Sequence, residues 1–359
     1  MSNFDLANFA LKAVCPSNEL IYDDKNIPGV YVKRASQKLN ALLNTSNTSI
    51  HPAFKINNVE KSALYFGKYQ GKVQDNRMYS FPGADPQVYI DLDTFIARCR
   101  AKGAGHHCIT AAEWAFLALL CKKNGTQPRG NNNYGKDHNE SAYVAIPTYI
   151  YDSGATIGRV ATGTGPVTWS DTGDRDGIFD LNGNVWEWIA GIRLVYGELQ
   201  VIPYNNAAMD NIDMSATSSE WKAINVAATG WDDLFITPDG SGTTTNSVKL
   251  NWVSGHWRWQ AAAITKTAQN GIFANIDFDG VSDFAKLYLR AMALAPDEGA
   301  TAADYNGDNV WANTNEAERC ALRGGDWAFG ALDGVFALAF YNPRSHSYGN
   351  VGGRPAFDN

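Results

Sequence analysis

From His51 onward the apolar positions of this chain fall into locally regular patterns that predict its elements. Residues 59–70 (VEKSALYFGKYQ) read as a strand, with Phe66 and Tyr69 as core candidates. Leu92, Phe95, Ile96 and Cys99 recur at helical spacing and predict a helix over residues 91–101. Thr110-Ala-Ala-Glu113 is a capping box: the Thr hydroxyl accepts from the third helical N–H, and the Glu reaches back to the cap amide. It opens a second helix with Trp114, Leu117, Leu120 and Cys121 on its apolar face, ending near Gly125. Residues 1–50 lack amphipathic order and close on a polar run, so a terminal arm is expected, either partly ordered or used for attachment or oligomerisation. The domain proper is expected over 51–359.

Residues 192–319 carry their own strand patterns, at 197–203 and 248–259, and a helix over 282–294 stopped by Pro296. A structureless loop of that length is implausible inside a domain. The stretch is expected to be an insertion packed against the core, bordering whatever face the protein uses.

The last part of the chain has a different texture. From Arg323 it reads RGGDWAFGALDGVFALAFYNPRSHSYGNVGGRPAF, a regular apolar frame with a mixed set of side chains between its fixed points. Arg323, Trp327, Phe336, Leu338, Arg344 and Arg354 belong to the frame, with the arginines expected to bond loop carbonyls or acids such as Asp326. Ala328, Phe329, Leu332, Ala339, Tyr341, His346, Tyr348 and Gly349 lie between, with Asp333 nearby, and these nine form the candidate ligand-binding set. Residues 328–359 contain no Lys, Glu, Gln, Met or Trp, although 19% of the chain is charged. A surface that uses Tyr, Phe, His, Asn, Ser and Gly has the composition of a paratope: rigid aromatic area beside adaptable hydrogen bonding.

Charge and cysteine content narrow the classes. The net charge of −7 argues against a nucleic-acid partner, which needs clustered Lys and Arg. No apolar run approaches the length of a membrane span. The segment MSNFDLANFALKAV lacks a basic n-region and a long apolar h-region, so synthesis in a cytoplasm without a signal peptide is expected. Cys15, Cys99, Cys108, Cys121 and Cys320 are odd in number and lack CxxC spacing, which predicts free buried thiols. With 33 Gly, 11 Trp, 16 Tyr and 16 Phe, a loop-rich, aromatic-cored domain is expected rather than a helical bundle.

Taken together, RGG-x-W, GVFAL, RS, N-V-G and R-P-A resemble the variable region of the variable proteins of diversity-generating retroelements, here residues 321–357. In that family, error-prone copying of template adenines turns AAC-type codons into a restricted residue set, which excludes Lys, Glu, Gln, Met and Trp. A second resemblance covers about 55–191 and 319–357. ITAAEWAFLALL, IFDLNGNVWEWIAG and RGGDW are similar to the helix start and two strands of formylglycine-generating-enzyme-like domains, in the family's order. Both resemblances imply an α+β C-type lectin fold, of the formylglycine-generating-enzyme-like subtype, here with a long insertion and a short N-terminal arm. The first implies a non-enzymatic binder on a phage tail that meets a host cell-surface protein or glycan, with other virion proteins as neighbours. A relative trimerises, so a homo-oligomer is implied too.

The enzyme branch of the second family is a copper-dependent oxidase that needs a cysteine pair near residues 335–338. None occurs after Cys320, so that alternative is disfavoured. The oxygen-rich run from Asp171 to Glu187 is not an EF-hand, since Val185 and Gly191 stand where the loop needs Gly and Glu. The residues read as turn formers. The resemblance adds a structural calcium held by backbone carbonyls and Glu187; no other cofactor is expected. His106-His107-Cys108 reads as a surface turn rather than a zinc site, and Thr162-Gly-Thr-Gly165 as a turn rather than a phosphate loop. His256-Trp-Arg-Trp259 reads as a half-buried strand, with a carbohydrate platform as the alternative.

Overall fold

The two helices with local sequence signals form where those signals lie. In the computed structural model, which describes residues 3–142, 145–152, 156–262 and 265–359, helix α1 spans Asn3–Val14, α2 Leu92–Arg100, α3 Ala111–Asn124 and α4 Asp283–Ala291. Asp91 caps α2 by accepting from the Thr94 N–H at 2.8 Å, and Leu92, Phe95, Ile96 and Cys99 are its buried face. The capping box of α3 is complete in both directions, and Gly125 ends the helix at φ 68°, where a side chain would be strained. This helix is buried on almost every side, so its apolar stripe extends well beyond the expected face.

The rest is mostly sheet. One sheet has five strands, β1 (Asn18–Tyr22), β2 (Pro28–Ala35), β3 (Ala63–Gly67) and β4 (His106–Cys108) among them. The large sheet has 12 strands. Its members in chain order are β5 (Trp186–Val195), β6 (Glu198–Val201), β7 (Lys222–Ile224), β8 (Phe235–Ile236), β9 (Lys249–Val253), β10 (His256–Gln260), β11 (Ala268–Ile272) and β12 (Asp277–Asp279), then β13 (Asn309–Asn313), β14 (Arg319–Arg323), β15 (Leu338–Asn342) and β16 (Val351–Gly352). The fifth strand of the smaller sheet is β17 (Pro355–Phe357), and its order is β1-β2-β3-β17-β4.

Three expectations change here. Residues 18–35 are not an arm: β1 and β2 pair antiparallel from Asn18↔Val32 to Tyr22↔Pro28, and β2 continues onto β3. Asn18 also reaches across to bond the Asp176 carbonyl at 2.7 Å. The strand expected over 59–70 is interrupted at 61–62: Asn57 and Asn58 at positive φ fold Val59-Glu60 back onto Lys55-Ile56 as a separate small hairpin, and β3 starts only at Ala63. Phe66 is buried in β3, while Tyr69 is only half-buried. His106, His107 and Cys108 are a buried strand, not a surface turn, with His107 Nε2 2.8 Å from Glu113 Oε1. Burial opposes charge on His107, and the Glu113 carboxylate outweighs it, raising the imidazole pKa.

Strand β5 is buried along all ten residues, between β14 on one side and β6 on the other. Being covered on both faces, it runs nearly continuously apolar. Its two charged residues are paired, Glu187 with Arg354 and Arg193 with Glu318 at 2.8 Å. The stretch between β5 and β14 does not pack as a separate layer. Strands β6 to β13 extend the same sheet, and β13 pairs parallel to β15 inside it. Ser282 caps α4, which stops at Ala291, short of the expected end, because Ala293 turns left-handed at φ 49°.

Candidate functional site

The site is built where β14 and β15 bring the frame residues together. The chain leaves β14 through Gly324 and Gly325, at φ 90° and 85°. A Cβ on Gly325 would sit 1.9 Å from the Asp333 carboxyl carbon, so glycine is required there on both counts. Arg323 is buried and donates to the Ala293 carbonyl at 2.8 Å and the Phe336 carbonyl at 3.2 Å. Trp327 packs with Val88 and Val185, and Phe336 with Phe273 and Tyr305. The apolar frame is core.

Arg344 and Arg354 bond acids other than Asp326. Arg344 donates to Glu318 at 2.8 and 3.0 Å and to Asp93 at 2.5 Å. Arg354 donates to both Glu187 oxygens, at 2.7 and 2.5 Å, and to the carbonyls of Gly67, Phe179 and Asp180. A guanidinium thus takes the carboxylate and carbonyls that a structural calcium would need. Calcium would have to displace a fully buried cation, so these residues do not fit a calcium site at Glu187. Asp326 instead accepts from the Asn350 amide at 2.5 Å.

The residues between the frame points divide sharply by exposure. Phe329, Leu332, Tyr341 and Tyr348 are 42%, 40%, 46% and 63% exposed, and Ala328 is exposed as well. His346 and Gly349 are half-buried. Two members of the expected set lie inside. Asp333 is buried, and its Oδ2 accepts from the Asp326 N–H at 3.0 Å. It closes the turn that leaves β14, so it presents nothing to a ligand. Burial, with the neighbouring Asp326 charge, pushes its carboxyl well above the usual range. Ala339 is also buried, because it lies opposite both Trp311 and Leu322 in register.

Phe329, Ala339, Tyr341 and His346 line one hollow of about 210 Å³. Its remaining walls come from Trp186 and Val351, from Leu322 and Asn342, and from Trp311 and Asn350. Trp186 and Trp311 meet edge-to-face at 5.4 Å and 90°. Phe329 leans on both, 5.4 Å from Trp311 and 6.3 Å from Trp186. His346 and Tyr348 stack beside it at 6.0 Å and 15°, and burial lowers the His346 pKa, which favours the neutral imidazole. The backbone here is pinned: Tyr89 N–H donates to the Tyr348 carbonyl, Leu92 N–H to that of Arg344, and Arg159 to that of Gly349. Ala328 and Leu332 lie outside the hollow's lining.

Several residues of this face carry no sequence signal that marks them as such. Trp186 belongs to a frame motif read only as a strand. Trp311 lies in the stretch without a motif, and Tyr89 stands 69% exposed against Gly349. Tyr134 and Tyr151 are exposed on the loops around Trp327, with Tyr151 6.4 Å from that ring. A tyrosine at positive φ, as Tyr89 and Tyr134 both are, is invisible in composition.

All five cysteines are free and buried. Burial pushes Cys320 up to about 12, the opposite of what a nucleophilic thiolate requires. Among the described residues, no three or more His, Cys, Asp or Glu are grouped to hold a metal, and no helix is long and apolar enough to cross a membrane.

No family model and no curated protein matches the chain. Among solved structures, Treponema denticola variable protein 1 is similar at 13% identity and a TM-score of 0.37, over 95% of this chain and 99% of that one. The Major Tropism Determinant P3c and U1 variants are similar at 10% and 11% identity, each at a TM-score of 0.31, over 92% of this chain. The chain spans 63% of the length of either of those two proteins.

Proposed function

We propose that this protein is a non-enzymatic binder of the C-type lectin fold that presents interchangeable side chains from residues 321–357, as the variable proteins of diversity-generating retroelements do. Its target is a host cell-surface protein or glycan, and its setting is a phage particle. One observation carries the reading: Arg323, Trp327, Phe336, Leu338 and Arg354 of the frame are buried, while Phe329, Tyr341, His346 and Tyr348 gather on one pinned face. Three exposed rings with a half-buried imidazole among them form an unusual patch on a surface that binds nothing. Aromatic anchors of this kind supply most of the energy in many interfaces, and several copies on a particle would add avidity.

The test is to replace the presented residues together, as Phe329→Ser, Tyr341→Asn and Tyr348→Asn. The triple variant should stay folded: the two tyrosine changes cost about 0.5 kcal/mol or less each, and loss of the Phe329 contacts to Trp186 and Trp311 adds about 0.5–1.5 kcal/mol per pair. In a whole-cell pulldown it should lose recognition by at least about tenfold. Undiminished pulldown by a folded triple variant would remove this face from consideration.

A further inference from the structure

Resting on the reading of this face as the binding site, we infer that its hollow takes one uncharged aromatic side chain of a protein partner, and that residue 339 sets how deeply that ring enters.

Size comes first. Pockets for drug-sized ligands run from about 300 to 1,000 Å³. A hollow of about 210 Å³ has room for a single ring rather than an extended molecule. Its walls choose the kind of ring. Trp186, Trp311 and Phe329 already pack edge-to-face around it, and such aromatic pairs add about 0.5–1.5 kcal/mol beyond their area. No Asp, Glu, Lys or Arg lines it, so a charged occupant would lose hydration without a counter-charge. A sugar needs several convergent polar groups; those here are Asn342, Tyr341, His346 and Asn350, whose amide is already committed to Asp326, and the remaining walls are aromatic or aliphatic. Tyr341 and His346 line the same hollow and Tyr348 stacks on His346, a rim suited to excluding water around one central anchor.

The floor and the rim differ in kind. Trp186 and Trp311 lie outside the 321–357 segment, and Trp311 is supplied by the long stretch between β5 and β14. Every version of the segment would therefore keep the same aromatic floor. Ala339 alternates with Tyr341 along β15, so both lie on one face of the strand. It is the member of the candidate set that is buried against that floor, opposite Trp311 and Leu322. Changes at 329, 341 and 346 reshape the mouth, whereas a larger residue at 339 fills the bottom.

The probe is N-acetyl-phenylalaninamide, followed by its effect on the indole N–H signals of Trp186 and Trp311 in a ¹⁵N-labelled protein, assigned with Trp311→Phe. Saturating shifts confined to those two signals are expected. Affinity should fall at least about tenfold in Ala339→Leu and measurably in Phe329→Ala, which removes one aromatic wall of the hollow. Tetramethylammonium and methyl α-galactopyranoside should not saturate in the same range. Absence of saturation, equal affinity in both variants, or tighter binding of the cation or the sugar would each overturn the inference. Cell recognition that is lost in the triple variant while the probe fails to bind would sink the pocket alone. Recognition that survives the triple variant would sink the binding face itself.

Discussion

Arg354 and Glu187 face each other with no exposure on either side, 167 positions apart in sequence. Removing one partner of such a pair leaves a buried charge alone, which costs about 3–5 kcal/mol. Arg354→Ala should therefore lower the thermal midpoint sharply, while Arg354→Lys keeps the charge but loses the two-pronged contact and should fall between. Calorimetry on both decides it; a midpoint near the parent's for the alanine variant would contradict the account. The sequence identified Arg354 as structural from its place in a fixed motif, but not its partner. Local reading pointed to Asp326, because nothing in composition relates residue 354 to residue 187. Asp333 was misplaced for the same reason: its burial comes from a glycine turn eight residues upstream, not from its own neighbours.

Elements were legible in proportion to how local their causes are. Helices α2 and α3 announce themselves by spacing and by caps that lie within three residues of what they satisfy. Strand β4 does not, since His-His-Cys has no apolar alternation and is strand only because β17 offers it a ladder. The same holds for β1 and β2, whose role depends on β3. The cap on α3 is also tied into its surroundings, for Thr110 donates to Asn205 at 2.6 Å and accepts from Glu113 N–H at 3.2 Å. Thr110→Ala should cost about 1–2 kcal/mol in denaturant unfolding, at the upper end of cap losses, with Thr110→Ser recovering most of it. A cost of a few tenths would mean that the cap adds little to a helix so deeply packed.

At the scale of the whole molecule, acids left inside set a pH dependence. Burial pushes Asp308 up to about 7 and Asp326 up to about 6, both next to the turn that leaves β14. Unfolded, each ionises near pH 4. Between those values the native state holds protons that the unfolded state has released, so stability falls as pH rises through about 4 to 7. Asp308→Asn removes that term: from about pH 5 to pH 8 the parent should lose about 2–3 kcal/mol more than the variant in urea unfolding. Equal losses would show that Asp308 is ionised throughout. Also at this scale, the alternation of buried frame residues with exposed ones in the C-terminal segment was legible because it is written in motifs, whereas the contribution of Trp311 was not. The long stretch between β5 and β14 shares the sheet rather than decorating it, and only the register with β15 reveals that.

The smaller sheet carries one more consequence. Its third and fifth members, β3 and β4, never touch except through β17, which is translated after both and after everything between. A nascent chain emerging at about 5–20 residues per second leaves the first hairpin waiting for many seconds beside an unfilled slot. Closure of that slot therefore waits for residues 355–357, which follow the whole 321–352 stretch in the chain. A chain that lacks residues 355–357 would leave β3 and β4 without the one strand that joins them in the sheet.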